Sequence, residues 1–305
     1  MKTYLRCFLI FLALNANAHS ITLGAVDILN KYSSVGYTLT ATGLGSVVAL
    51  DPHWVLTAAH VVEGDPLLLV MGDSSLGTEG FYLFFDEVVV HPGYVSGEFH
   101  DDLALIHLND LDPIIPVPGF LDASFATLSN VSRSVGLPGS TTLTGYGLTQ
   151  VDGSADPNEP LLRRVGVADT DPVGPAAPPF NPGFPFDCSL PQLLCTHGTT
   201  GGAPGDSGGA MWLNYGGGEV VAAIMSFVFD ENDLLNPAQT PNWGDGYWTV
   251  GTSVAYYQDW ISNYVPDAAF GGSPVPLPAA VWLSAGGVWI LMMFVRQKKV
   301  VGKHS

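Results

Sequence analysis

The chain has 305 residues, of which 47% are hydrophobic and only 12% are charged, with 36 glycines and 23 prolines. This composition can bury a sizeable core and excludes a disordered chain, and the many turn-forming residues favour a β-rich domain. The formal net charge is −18, and all 28 acidic residues but only four basic residues lie between residues 19 and 267. Such a surface repels polyanions, so we expect no nucleic acid among the partners.

The first segment, residues 1–20, has the pattern of a secretory signal peptide. Lys2 and Arg6 precede an apolar run over residues 7–14, and small residues follow it. The run is too short for a membrane span, so we expect export of the protein and removal of this segment. Small residues fit two cleavage positions, after Ala18 and after Ser20, and the sequence leaves both open.

Strand-length apolar runs separated by turn signals dominate the chain up to residue 253. No stretch in this region has the pattern of a long amphipathic helix. We therefore predict an all-β fold class. The main runs lie at residues 46–50, 67–71, 81–90, 103–108 and 220–229.

Three residues carry the chemistry of nucleophilic catalysis. Ser207 lies in a glycine-rich stretch, residues 201–210, where the backbone can turn tightly and bring its amides close to a substrate carbonyl. His60 follows an apolar strand, and Asp102 opens an alternating one. We expect Ser207 to attack, His60 to act as general base and then acid, and Asp102 to fix the imidazole tautomer. The amides of Gly205 and Ser207 would bind the oxyanion.

Further motifs accompany His60, Asp102 and Ser207 in the same chain order. They are Gly45-Ser46, His91-Pro-Gly-Tyr94, Thr144-Gly-Tyr-Gly147, Leu162-Arg-Arg-Val165 and Ser226-Phe227. With them, the chain resembles the trypsin/chymotrypsin family of serine endopeptidases over residues 21–265. The resemblance implies two six-stranded antiparallel β-barrels and a C-terminal helix, with the site in the cleft between the barrels. We place the first barrel at residues 21–133 and the second barrel with the helix at residues 134–266, and we expect no cofactor and no metal.

Asp206 directly precedes the predicted nucleophile, and a buried carboxylate needs a cationic partner. In the resembled family this partner is a new α-amino group on an isoleucine. Ile21-Thr-Leu-Gly24 is similar to the start of the mature family enzymes, so cleavage after Ser20 would free Ile21 to pair with Asp206 without a separate propeptide. The alternative is a mature start at His19, with Asp206 paired to an arginine.

The resemblance also indicates the specificity pocket. Gly201 matches the floor, where an acidic residue would select Lys or Arg, so we do not expect trypsin-like cleavage. Ser226 matches the residue that hydrogen-bonds near Asp102. Val228 and Thr249 match wall positions that narrow the pocket, as in elastases. We therefore expect cleavage after small aliphatic residues.

Cys7 belongs to the predicted signal peptide, which leaves Cys188 and Cys195 as the one pair in the exported chain. An even number of cysteines in an exported protein predicts a disulfide. Cys195 matches a family cysteine that precedes the nucleophile loop. Two other family disulfides are missing, because Val61 follows the histidine and Ala203 stands in the place of a pocket cysteine.

The C-terminal part begins with a predicted helix at residues 253–265, and a linker follows at residues 267–278. The last four residues of the linker form, together with Ala279, a Val-Pro-Leu-Pro-Ala motif. An apolar run from residue 279 to 295 is just long enough to span a bilayer, and the basic end, up to residue 305, would stay cytoplasmic. This order resembles the VPLPA variety of PEP-CTERM sorting signals in bacteria, which implies inner-membrane anchoring and processing by an exosortase-type enzyme. The alternative is an ordinary anchor that is never cut.

Two classes of function fit this sequence. The first is a secreted or surface-tethered serine endopeptidase that acts on protein or peptide substrates through an acyl-enzyme intermediate. The second is a catalytically inactive extracellular binding or matrix module on the same fold. Retention of His60, Asp102, Gly205 and Ser207 together favours the enzyme. The acidic loop at residues 72–79 is a further candidate for calcium binding, although such loops are usually only solvated.

Overall fold

Two β-sheets account for most of the described structure. The computed structural model describes residues 21, 24–41, 43–72, 80–98, 100–109, 124–132, 137–147, 161–170, 188–230 and 247–272. All of these residues lie in one unit of the chain, Met1–Ser273.

The first half of the chain forms a seven-stranded antiparallel sheet. In chain order the strands are β1 (Ala25–Val26), β2 (Val35–Thr40), β3 (Leu44–Ala49), β4 (Trp54–Thr57), β5 (Pro66–Gly72), β6 (Gly80–Leu83), β7 (Phe85–Val90) and β8 (Ala104–Leu108). Strand β1 belongs to the second sheet, and the other seven strands form the first sheet in the order β6-β5-β2-β3-β4-β8-β7. The two end strands, β6 and β7, are separated in the chain by Phe84 alone, so the sheet curls back on itself.

The second half forms a nine-stranded sheet that includes β1. Its other strands are β9 (Leu128–Ser129), β10 (Ser140–Gly145), β11 (Arg164–Thr170), β12 (Leu193–Gly198), β13 (Ala210–Asn214), β14 (Glu219–Asp230), β15 (Tyr247–Ser253) and β16 (Phe270–Gly271). Their order is β13-β10-β11-β12-β15-β14-β9-β16, and β1 pairs with β11. The additional pairing of β13 with β14 closes six of these strands into a barrel.

The prediction of two six-stranded barrels is therefore confirmed for the second sheet only. The first sheet is a half-barrel, because its two end strands pair with β5 and β8 and not with each other within the described residues. A break at Phe84 divides the predicted strand 81–90 into β6 and β7. Phe84 is 65% exposed, so it continues the apolar run in the sequence but adds nothing to the core.

Strands such as β3 and β8 bury both of their faces, which explains why they read as nearly continuous apolar runs. Alternate residues such as Val47, Val55 and Ile106 pack inside the first sheet. Their neighbours Val48 and Leu56 face the opposite way, into a core shared with second-sheet residues that include Trp212, Val221 and Ile224. Because this shared core joins the two sheets, side chains at its rim are held in fixed relation to each other.

Two short helices complete the described structure, α1 (Ala59–Val62) and α2 (Gln258–Tyr264). The predicted C-terminal helix exists but starts later than residue 253. Ser253 still belongs to β15, and the Val254 amide donates to the Ala222 carbonyl, so sheet hydrogen bonding continues past the point where the helical spacing of apolar residues begins. Ile261 of α2 is fully buried in the shared core.

The predicted disulfide between Cys188 and Cys195 is confirmed, with a Cα–Cα distance of 6.0 Å. It closes a short loop at the start of β12, because the two cysteines are only 7 positions apart. Over the described ranges, no helix has the length and hydropathy of a membrane span. The predicted signal peptide, residues 73–79 of the acidic loop and the predicted span at residues 279–295 lie outside the described residues.

Candidate active site

The glycine-rich stretch around Ser207 forms two consecutive tight turns. In the first, the Asp206 amide donates to the Ala203 carbonyl at 2.9 Å, and Gly205 has a φ of 96°. In the second, the Gly209 amide donates to the Asp206 carbonyl at 2.8 Å, and Gly208 has a φ of 85°. Both are type II patterns, which require a positive φ at the third position, and the proline before Gly205 fits the second position of the first turn. Ser207 lies at the tip of the second turn.

Ser207 is held between the two sheets. The Ser46 amide of β3 donates to the Ser207 carbonyl at 2.7 Å, and the Gly208 amide donates to the Met225 carbonyl of β14 at the same distance. A Cβ at Gly208 would lie 2.0 Å from the Ser46 carbonyl oxygen, so only glycine fits this approach. The position of the serine is therefore fixed by backbone contacts from both halves of the molecule.

His60 and Asp102 come from the first sheet and form a direct pair. His60 belongs to α1, and Asp102 lies just before β8. The imidazole Nδ1 is 2.7 Å from Asp102 Oδ2, and the His60 backbone amide donates to Asp102 Oδ1 at 2.9 Å. The Asp102 carboxylate is 2% exposed, whereas the imidazole is 36% exposed. This arrangement fixes one edge of the ring and leaves the other accessible to a substrate.

The electrostatics of Asp102 follow from its partners. Burial acts to raise the pKa of this carboxyl, but the hydrogen bonds and charge of His60 outweigh that effect, together with a hydrogen bond from Ser226. The net result is a pKa below the ordinary value, so the carboxylate stays ionised inside the protein. An ionised Asp102 accepts a hydrogen bond from Nδ1–H of His60, which leaves Nε2 as the ring nitrogen with the free lone pair.

Ser226 lies between the histidine pair and the serine. Its hydroxyl donates to Asp102 Oδ2, and its carbonyl accepts the hydroxyl proton of Ser207 at 3.3 Å. The predicted partnership of Ser226 with Asp102 is thus present in the structure. Because a serine hydroxyl has a single proton, the Ser207 hydroxyl must rotate away from Ser226 before it can donate to His60.

A cavity of about 240 Å³ opens beside Ser207. Its walls come from the turns and from β14 and β15, and its lining consists of Gly202, Ala203, Pro204, Asp206, Ser207, Met225, Ser226, Phe227, Val228 and Thr249. Val228 and Thr249 are cross-strand partners, and both approach Gly202, with methyl carbons 3.2 Å from the position of a Cβ there. Gly201, predicted as the floor, is buried next to the cavity, and Gly202 lines it instead.

Sequence reasoning missed Met225 as a wall of this cavity. The residue directly precedes Ser226 in β14, and a register shift in the β14–β15 pairing falls between Met225 and Phe227. This bulge allows consecutive residues of one strand to face the same space, against the usual alternation. The sequence offers no signal for it, because bulges depend on the pairing of two strands.

Asp206 is buried beneath the turns and accepts three backbone amides. These come from Ile21 at 2.9 Å, Ala203 at 2.9 Å and Gly147 at 2.8 Å. The structure therefore brings Ile21 and Asp206 together across a sequence separation of 185 residues. The role of Gly147 was missed. Only glycine fits at this position, because a Cβ there would lie 2.7 Å from Asp206 Cγ. The motif Thr144-Gly-Tyr-Gly147, which contains this glycine, was the signal in the sequence.

The alternative partner for Asp206, an arginine, has other contacts in the structure. Arg163 is fully buried, and its Nε donates to Asp27 Oδ2 at 3.0 Å. Arg164 donates to the Gly24 carbonyl, also at 3.0 Å. Across the described residues, no cluster of three or more His, Cys, Asp or Glu side chains could hold a metal ion.

Two barrel-like sheets of mostly antiparallel strands, with a His–Asp pair on one and a serine at a glycine-rich turn of the other, define the class of two-barrel serine proteases. Within this class, the chain belongs to the trypsin family, whose sequence pattern, described as "Trypsin", matches residues 34–261. The protein is accordingly a trypsin-like serine endopeptidase.

Several curated proteins are similar to the chain. Brachyurin from Leptuca pugilator is 31% identical over 226 residues, which cover 70% of this chain and 84% of that protein. Complement C1s subcomponent from Sus scrofa is 30% identical over 242 residues, and a calcium-dependent serine proteinase from Mesocricetus auratus is 29% identical over 238 residues. The chain spans only 31% and 30% of these last two proteins, so the similarity is to one part of each.

Proposed function

We propose that the protein hydrolyses peptide bonds with His60, Asp102 and Ser207 as a catalytic triad. The main support is the pairing of His60 Nδ1 with the buried Asp102 carboxylate at 2.7 Å, which the hydroxyl of Ser226 links to the cavity at Ser207. Ser207 Oγ attacks the scissile carbonyl while His60 Nε2 takes its proton, and Asp102 stabilises the imidazolium that forms. His60 then protonates the leaving amine, and a water molecule releases the acyl group from Ser207 by the same steps in reverse.

The amides of Gly205 and Ser207 bind the oxyanion of the tetrahedral intermediates. Neighbouring amides already have acceptors, since those of Asp206, Gly208 and Gly209 donate to the carbonyls of Ala203, Met225 and Asp206. In the described part of the chain, the amides of Gly205 and Ser207 donate to no backbone carbonyl. We therefore expect these two amides, one in each of the consecutive turns, to be the donors that remain for the oxyanion.

The cavity beside Ser207 binds the side chain that precedes the cut. No acidic side chain extends into it from the position of Gly201 or Gly202, and Val228 and Thr249 lie side by side on β14 and β15 in its wall. Met225 adds a third apolar surface. The branched side chains of Val228 and Thr249 reach Gly202 and narrow the cavity there, which favours small aliphatic residues over Lys and Phe.

A panel of fluorogenic peptides that differ only in the residue before the cut tests both the activity and this preference. We expect kcat/KM for Ala and Val to exceed that for Phe and Lys by at least about tenfold, the range that pocket fit alone supplies. The Ser207→Ala variant should cleave none of them. A strong preference for Phe or Lys would refute the assignment of Val228 and Thr249 as restricting walls.

Ile21 provides a route of activation that depends on removal of the signal peptide. Its backbone nitrogen lies 2.9 Å from the Asp206 carboxylate and its side chain is fully buried. Ile21 has a φ of 37°, a region that β-branched residues strongly avoid, and this angle involves the carbonyl carbon of Ser20. Cleavage of the Ser20–Ile21 bond relieves this strain and turns the amide into an ammonium group that pairs with Asp206.

We further propose that the protein is exported and that the segment after residue 274 acts as a PEP-CTERM signal, processed by an exosortase-type enzyme at the inner membrane. The support is the order of the VPLPA motif, the apolar run and the basic end. N-terminal sequencing and intact mass of the active protein test both ends. We expect a first residue of Ile21 and a mass that lacks the apolar run. A first residue of His19 would refute the activation route. A mass that still includes the apolar run would refute processing and would show that this segment is an ordinary membrane anchor.

A further inference from the structure

The residue before Asp102 has an unusual backbone. Asp101 has a φ of 59°, in the left-handed region that L residues other than Asn and Asp rarely adopt. The Leu103 amide donates to the Asp101 carbonyl at 2.8 Å, which closes a three-residue turn centred on Asp102. The direction of the Asp102 carboxylate, and with it the orientation of His60, therefore depends on this conformation of Asp101.

One side chain from the other half of the molecule contacts Asp101. The Tyr257 hydroxyl donates to Asp101 Oδ1 at 2.8 Å, and Tyr257 is only 4% exposed. Tyr257 directly precedes α2, and its ring packs in the core shared by the two sheets. The anchor of this hydrogen bond is therefore rigid, and its acceptor is adjacent to Asp102.

The other neighbours of Asp101 are poorer anchors. His91 Nδ1 lies 3.6 Å from Asp101 Oδ1, but it accepts the Gly93 amide at 3.2 Å, so this nitrogen has no proton to donate. Burial also lowers the pKa of His91, which favours the neutral ring. His100 is 49% exposed and lies 3.4 Å from Asp101 and 3.2 Å from Glu98, so water weakens its interaction with Asp101.

We infer that Tyr257 is a positioning residue for the proposed reaction, which acts through Asp101 to aim the Asp102 carboxylate at His60. The inference rests on the proposed triad. It assigns to the segment before α2 a part in catalysis, in addition to its place in the core. The docking of this C-terminal segment on the first sheet thereby becomes a condition for the geometry of His60.

The test compares full-length Tyr257→Phe with the matched control Tyr256→Phe. Both changes remove one hydroxyl from neighbouring tyrosines, but Tyr256 is 53% exposed. We expect Tyr257→Phe to lower kcat about tenfold with KM unchanged, because the loss affects proton transfer and not substrate binding. Tyr256→Phe should match the wild type.

Variants of Asp101 separate the hydrogen bond from the backbone conformation. Asp101→Gly keeps access to a positive φ but removes the acceptor, so kcat should fall as in Tyr257→Phe. Asp101→Asn keeps both the acceptor and the tolerance for a positive φ, so kcat should stay within about twofold of the wild type. Full activity of Asp101→Gly would overturn the role of the hydrogen bond.

The proton between His60 Nδ1 and Asp102 gives a readout that needs no activity. Its far-downfield NMR resonance should shift or broaden in Tyr257→Phe and stay unchanged in Tyr256→Phe. Wild-type resonance and kcat in Tyr257→Phe would overturn the inference, as would equal losses in both variants. If the wild type itself cleaves no peptide, the proposed function fails, and the resonance still decides whether Tyr257 positions the His60–Asp102 pair.

Discussion

At the scale of single residues, the electrostatics of the site depend on one buried carboxylate. Asp102 is held ionised by His60 and Ser226 in spite of its burial, so its pKa in the folded protein lies below 3.8. The unfolded chain therefore binds a proton at this position more readily than the folded chain does. The stability that the ionised Asp102 contributes is present above the ordinary pKa of an aspartic acid and is lost as the pH falls through the lower folded value.

Asp102→Asn should remove this pH dependence. We expect the free energy of unfolding of the wild type, relative to the variant, to be constant above about pH 5 and to shrink below about pH 4. Urea unfolding of both proteins at a series of pH values measures this difference in the free energy of unfolding. Asp86→Asn is a matched control, since Asp86 also pairs with a histidine, His107, at 2.6 Å, but is 51% exposed and solvated. If the difference in the free energy of unfolding between the wild type and Asp102→Asn did not change with pH, the lowered pKa of Asp102 in the folded protein would be contradicted.

The sequence singled out the side chains that the structure brings together, but not all of the cavity walls. His60, Asp102 and Ser207 could be singled out from their chemistry and local motifs, and Ser226 from the family resemblance. Met225 and Gly202 could not, because their exposure to the cavity depends on the bulge in β14 and on the pairing of Val228 with Thr249. These contacts join parts of the chain that a long segment separates, so no local pattern encodes them.

At the scale of elements, the two turns around Ser207 join the halves of the molecule. Gly208 lies where β3 and the second turn approach, and a Cβ there would also lie 2.2 Å from Thr57 Oγ1. The Cβ would also collide with the Ser46 backbone carbonyl, which cannot move without shifting β3. A larger residue must therefore displace Ser207 or separate the sheets.

We expect Gly208→Ala to lower the free energy of unfolding by about 3 kcal/mol, from left-handed strain plus overpacking, and to abolish peptide cleavage. Gly217→Ala is the control, because a Cβ at Gly217 meets nothing within 4 Å. This variant should change the free energy of unfolding by less than about 0.5 kcal/mol. Equal stabilities in urea unfolding would show that the close approach at Gly208 is unimportant.

Element boundaries were predictable where the apolar pattern and the hydrogen bonding agree. The strand at 103–108 and the disulfide follow the sequence closely. The C-terminal helix was predicted five residues too early, because Val254 is buried by strand-like contacts and yet fits a helical spacing. The strand predicted at 81–90 is divided at Phe84, since one part pairs with β5 and the other with β8.

At the scale of the whole molecule, the core shared by the two sheets determines where the site lies. Val48, Leu56 and Leu105 of the first sheet pack with Trp212 and Ile224 of the second. The His–Asp pair comes from the first half of the chain and the serine from the second, so catalytic activity depends on correct docking of the two halves. The all-β class and the two-sheet arrangement were predictable from the alternating apolar runs and the resemblance. The half-barrel shape of the first sheet was not, because closure depends on how the end strands meet.

Labelling of the full-length exported protein with a fluorophosphonate, read by intact mass, tests the central claim most directly. The reagent reacts only with a serine whose base and oxyanion donors are in place. We expect one label per chain in the wild type and none in Ser207→Ala. Absence of labelling in a folded sample that begins at Ile21, or labelling that persists in Ser207→Ala, would contradict the assignment of Ser207 as the nucleophile.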